Sequence, residues 1–124
     1  MNDKILKGEV MMKKNELNVL WTTKDPVTSE HFLFLYTVNA KKRGWFDQVN
    51  IIVWGASASL IAENKTIQSL IAGAMREGIK IRGCLHCAKS LGVEKKLRDI
   101  GIELIYMGEP LTELIKSGGY VITV

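Results

Sequence analysis

The sequence predicts one α/β domain, a largely parallel five-stranded sheet between helices on both faces, and three observations lead there. The first is size. A chain of 124 residues makes one domain, because two would need roughly 100 residues each. The second is alternation. Short apolar runs rich in Val and Ile recur five times with helical stretches between them, which is how parallel three-layer sheets are built. The third is composition. With 47% hydrophobic and 24% charged residues, the chain has the balance of a folded core and not of a disordered tail or a collagen-like repeat. A domain of this size buries a core without help from metals or disulfides.

Residues 1–16 are polar, with Lys4, Lys7, Lys13 and Lys14 set against Asp3, Glu9 and Glu16. They read as a flexible leader, so the folded domain is expected over 17–124. Met11 and Met12 offer a downstream start. Residues 17–22 form the first strand. Asp25 then caps a helix with Pro26 in its first turn, where a missing N–H does no harm. That helix carries Phe32, Leu33, Phe34, Leu35, Tyr36 and Val38, and it ends in Lys41, Lys42, Arg43 and Gly44. Residues 49–54 are the second strand, and residues 55–59 turn off its end. Asn64 caps a helix whose Ile67, Leu70, Ile71, Ala74 and Met75 keep the 3.6 period, and Gly78 stops it. A short third strand covers 79–83, a short helix 85–91, and a further helix carries Val93, Leu97 and Ile100 up to Gly101. Residues 102–106 are the fourth strand. Pro110 starts a last helix with Leu111, Leu114 and Ile115 on one face, and residues 120–124 are the fifth strand.

Charge and hydropathy narrow the partners. Seventeen Lys and Arg against thirteen Asp and Glu leave +4, too small a surplus to argue for nucleic acid. The basic run at 41–43 reads as helix termination. The longest apolar stretch, 51–62, is broken by Gly55, Ser57 and Ser59 and falls short of the roughly 18 residues that span a bilayer. The N-terminus has no apolar signal region. No nucleic acid and no membrane are expected as partners, and the expected compartment is the cytoplasm. There a Cys pair serves redox, metal or nucleophilic chemistry more often than structure.

Ligand sites of open parallel sheets lie beyond the carboxyl ends of the strands. The loops expected there carry Thr23 and Asp25, then Ser57, then Cys84, His86 and Cys87, with residues 107–109 closing the rim. Cys84 is the candidate nucleophile. At the junction of strand and helix, unpaired helix N–H groups favour thiolate over thiol. The bland alternative is a small buried apolar residue. Cys87, one helical turn on, is the candidate second thiol of a C-x-x-C pair, or else helix packing. His86 either tunes the thiolate or is merely solvated, and His31 is expected to be a partly buried structural residue. Thr23, Asp25 and Ser57 would shape the substrate pocket.

Sharper motifs fail. Haem attachment needs His where Ala88 stands, and structural zinc needs four ligands where the chain gathers two. The run 83–90 approaches a phosphate-binding P-loop but has Ala88 in place of its second glycine. There is no G-x-G-x-x-G and no G-x-S-x-G. No metal and no cofactor are expected.

The segment Gly83-Cys84-Leu85-His86-Cys87-Ala88-Lys89-Ser90-Leu91-Gly92-Val93 resembles the cysteine region of DsrE/DsrF-like proteins, which include the sulfur-relay (TusD) and YchN types. Residues 44–49, 53–57 and 101–112 resemble the same family in the same order, so the resemblance covers about 17–124. It implies a flavodoxin-like or Rossmann-like domain that assembles as homotrimers or homohexamers. It also implies a sulfurtransferase-like sulfur carrier. In the relay members, a cysteine at the position of Cys84 takes sulfane sulfur from a donor protein as a persulfide and yields it to an acceptor protein. Cys87 departs from those members and keeps a dithiol mechanism open. Two other readings remain: a non-catalytic oligomeric binding module, and a C-x-x-C thiol–disulfide redox protein. Trp21, Trp45, Trp54 and the apolar first helix exceed what one small sheet needs, which suits an oligomer interface.

Overall fold

The computed structural model describes residues 15–124. The leader expected over 1–16 lies outside them except for its last two residues, and Glu16 already belongs to the first strand. The strands are β1 (Glu16–Trp21), β2 (Gln48–Val53), β3 (Lys80–Cys84), β4 (Glu103–Ile105) and β5 (Tyr120–Thr123). They form one sheet in the order β4-β3-β2-β1-β5, and every pairing is parallel. The single three-layer α/β domain expected from the alternation is the one found.

The helices follow in chain order. The first, α1, runs without a break through Pro26–Thr28, a π-helical stretch Ser29–Phe34, and Leu35–Lys42. The others are α2 (Ser57–Glu63), α3 (Lys65–Arg76), α4 (Leu85–Ser90), α5 (Glu94–Ile100) and α6 (Gly108–Lys116). Two caps act as expected. Asp25 Oδ2 accepts from the Thr28 N–H at 2.7 Å, and Asn64 Oδ1 accepts from the Ile67 N–H at 2.9 Å. Gly101 ends α5 at φ 105°, a left-handed position that glycine takes without a Cβ penalty.

Three features differ from expectation. The turn expected over 55–59 holds at Gly55 and Ala56 only, and residues 57–59 are the start of α2. Its first residue, Ser57, spends its hydroxyl on the Trp21 carbonyl and not on a cap, so no capping signal marks the helix. The π-helical stretch has about one extra residue per turn, and it turns Ser29, Leu33 and Phe34 all inward. That wider turn leaves His31 outside, with a side chain 69% exposed, where a partly buried residue was expected. The last helix begins at Gly108, two residues before Pro110, which sits within the first turn.

The order of the strands decides the layers. The connections β1→β2, β2→β3 and β3→β4 all step the same way, and one handedness of crossover then puts their helices on one face. The main core agrees. Leu17, Val19 and Trp21 of β1 and Val49, Ile51 and Val53 of β2 pack with Leu33, Ile61, Ile67, Ile71 and Leu97 from α1, α2, α3 and α5. The connection β4→β5 steps back, so α6 covers the other face. There Ile52 and Cys84 pack against Met107 and Leu114. Neighbouring strands β3 and β4 thus send their chains to opposite faces. This is a topological switch point, where open α/β sheets place their ligand crevice. Cys84 pairs with Ile105 across it.

The second face is itself divided. At the amino ends of β1 and β2 it is polar. Asn50 Nδ2 donates to Glu16 Oε2 at 2.8 Å and to Asn18 Oδ1 at 2.9 Å. Toward the carboxyl ends it is apolar, and the apolar stripe of α6 packs there, over Cys84.

Candidate thiol site at the switch point

Cys84 is both the last residue of β3 and the N-cap of α4, with extended φ −74° and ψ 114°. Gly83, one residue before, is closely packed. A Cβ on it would lie 2.9 Å from Leu104 Cδ2 and 3.4 Å from both Ile102 Cγ2 and Val53 Cβ. Only glycine lets β3 lie this close to its neighbours one residue before the thiol. Cys84 is 6% exposed, and its Sγ accepts from the Cys87 N–H across 3.4 Å. Its apolar neighbours are Ile52, Met107 and Leu114.

Cys87, one turn on, is half-buried. Its Sγ accepts from the Gly55 N–H at 3.4 Å. Both cysteines are free thiols, and they interact. Burial pushes the Cys87 thiol up from its ordinary range, contact with Cys84 pushes it the same way, and the Gly55 N–H opposes both. Cys87 is therefore chiefly protonated at neutral pH. The unfolded chain ionises Cys87 first, so stability is full below the ordinary thiol pKa and is lost as pH rises through the raised one. Alkylation of Cys87, mapped by peptide mass, is expected to keep accelerating with pH beyond the inflection of a free cysteine peptide. A profile that inflects at or below the peptide's contradicts it.

The remaining candidates stand at the same edge of the sheet but do different things. Ser57 is fully buried and donates to the Trp21 carbonyl at 2.6 Å, so it ties the end of β2 to the end of β1. Thr23 Oγ1 accepts from the Asp25 N–H at 3.1 Å. Asp25 is exposed, and hydrogen bonds from Thr28 hold its carboxyl below the usual range. His86 is exposed on α4. Thr22 Oγ1 donates to the Val124 carbonyl at 3.0 Å. A belt of contacts thus runs from Cys87 through Gly55, Ser57 and Trp21 to Thr22 and Val124. It joins the carboxyl ends of β1 and β2 to α4 on one side and to the end of the chain after β5 on the other.

Residues 107–109 were expected at the rim, and Met107 indeed packs with Cys84. Sequence reasoning missed Leu114, which reaches Cys84 from far along the chain, and the donation by the Gly55 N–H to Cys87, although the loop of Gly55 was expected at this edge. No group of three His, Cys, Asp or Glu able to hold a metal gathers among the described residues. None of their helices is long and apolar enough to cross a membrane. A groove of about 630 Å³ opens between α1 and α3, lined by Phe34, Leu35, Leu70 and Gly73 among others, and contains neither cysteine.

No family model matches the chain, and no curated protein does. Two solved structures do. The ychN protein from E. coli superposes with a TM-score of 0.68 over 90% of this chain and 99% of its own, at 13% identity. That likeness shows a shared fold, the one expected from the resemblance of residues 83–93. The conserved protein of unknown function BT1422 from Bacteroides thetaiotaomicron superposes with a TM-score of 0.87, at 38% identity over 89% of this chain and 95% of that one. Identity at that level across nearly the whole domain is kinship as well as architecture, and the chain belongs to the family of this Bacteroides protein.

Proposed function

We propose that this protein is a sulfur carrier that holds a persulfide on Cys84 and passes the sulfane atom to a partner protein. The observation that carries the reading is the pair of free thiols at the switch point, each accepting one backbone N–H at 3.4 Å. An anionic sulfur gains from such preset donors. The chemistry needs no metal and no cofactor. The thiolate that meets the donor attacks the outer sulfur of its persulfide, the donor's S–S bond breaks, the donor departs as a thiolate, and the sulfane atom comes to rest on Cys84. Release to an acceptor thiol is the same exchange run outward. Thr23, Asp25 and His86 frame the approach, and Ser57 braces it from behind.

The position of Cys87 supports a second reading as a thiol–disulfide protein. Attack of Cys87 on the inner sulfur of a Cys84 persulfide forms the Cys84–Cys87 disulfide and expels hydrosulfide. The proposal includes a cytoplasmic homo-oligomer, trimer or hexamer. Phe32, Leu35 and Trp45 are large apolar side chains left exposed, and Tyr36 lies between Phe32 and Trp45 with its ring tilted 39° to each. A monomer in sedimentation at micromolar concentration removes that part.

The central test is intact-protein mass after incubation with glutathione persulfide. The protein is expected to gain the mass of one sulfur atom, mapped at rest to Cys84, and the double variant Cys84→Ser/Cys87→Ser to gain none. No adduct on the unaltered protein, or an adduct on the double variant, ends the sulfur-carrier reading.

A further inference from the structure

The two thiols are unequal in a way that assigns them an order. Cys84 is 6% exposed and lies among Ile52, Met107 and Leu114. Attack at sulfur needs the incoming, central and leaving atoms nearly in line, so a donor carried on a peptide or protein needs open space along the axis of the attacking sulfur. Cys84 does not offer it. Cys87 is the more exposed of the pair, interacts directly with Cys84, and is held at the end of β2 by the Gly55 N–H.

Resting on the sulfur-carrier reading, we propose that Cys87 is the entry thiol for peptide- or protein-borne persulfides, and that the sulfur then moves inward to Cys84 for storage. In the first step Cys87 Sγ bonds to the outer sulfur of the donor. The donor's S–S bond breaks, and the donor leaves as a thiol with the proton Cys87 gives up. In the second step Cys84 Sγ bonds to that same sulfur, its bond to Cys87 breaks, and the proton of Cys84 passes to Cys87. Each step exchanges one S–S bond for another, so neither needs an oxidant or a reductant. The stored sulfur ends in the apolar cluster, away from solvent thiols that would strip it. A carrier with a single buried thiol would have to open to load. A second thiol at the surface removes that need.

The test is the time course of loading by glutathione persulfide, followed by peptide mass. In the unaltered protein the adduct is expected on Cys87 first and on Cys84 later. Cys84→Ser should still take one sulfur, trapped on Cys87. Cys87→Ser should load Cys84 about tenfold more slowly than the unaltered protein, the loss expected when only the occluded thiol is left. Cys87→Ala, which adds no buried hydroxyl, should behave as Cys87→Ser does, and urea midpoints near that of the unaltered protein would show that both are folded. Loading of either folded Cys87 variant at the unaltered rate overturns the order while leaving the carrier reading intact. No loading of the unaltered protein removes both.

Discussion

Replacing Trp21 with alanine is expected to cost about 3–5 kcal/mol of folding stability, the range for truncating a large buried aromatic. Trp21 is 0% exposed at the end of β1, an interior strand between β2 and β5. Its ring meets Phe34 edge-on, with centroids 5.3 Å apart and planes at 87°, an arrangement that stabilises beyond area alone. Its Nε1–H donates to Ser29 Oγ at 3.0 Å, and Ser29 is itself fully buried. Alanine therefore leaves a cavity and an unsatisfied hydroxyl acceptor at once. A domain of this kind has only about 5–15 kcal/mol in total. The urea midpoint should fall steeply with an unchanged slope. Trp21→Phe should lose less, because it keeps most of the packing and gives up the indole donor. A midpoint shift within error for Trp21→Ala contradicts the assignment of Trp21 as a central core residue.

Gly83→Val has the second-largest expected effect, and it reaches the thiols. The new Cβ would stand 2.9 Å from Leu104 Cδ2, with Ile102 and Val53 closing the other sides at 3.4 Å. Leu104 is buried, so it has little room to swing away. Overpacking of this sort costs about 1–3 kcal/mol. The strain is relieved most directly by parting β3 from β4, which shifts Cys84, the next residue. Gly83→Ala should show a milder form of both effects. Because the clash is with one side chain, Leu104→Ala should partly rescue it, and the double variant should be more stable than the sum of the singles predicts. Strict additivity would show that the strain is borne elsewhere.

The strands were legible because each is a short run of β-branched or aliphatic residues with Gly, Asp or Asn nearby. The alternation then left few topologies open. Helix ends were legible where a side chain makes the cap, as at Asp25 and Asn64. They were not legible where it does not: Ser57 begins α2 with its hydroxyl turned to another strand. The π-helical stretch of α1 was invisible because residues 32–36 are apolar on every side, so no period distinguishes one register from another. At the site, the place of Cys84 could be read from the end of β3. Its burial could not, because Met107 and Leu114 reach it only through the backward step from β4 to β5. The hydroxyl of Ser57 has the right residue type for a pocket, and tertiary structure uses it as a tie.

That backward step also makes one element the cover of the thiol. Met107 and Leu114, which pack over Cys84, come from α6 and the residue just before it. Local opening of that element, with the first face of the sheet intact, uncovers the sulfur. The shelter of the thiol is only as durable as the docking of a single short helix.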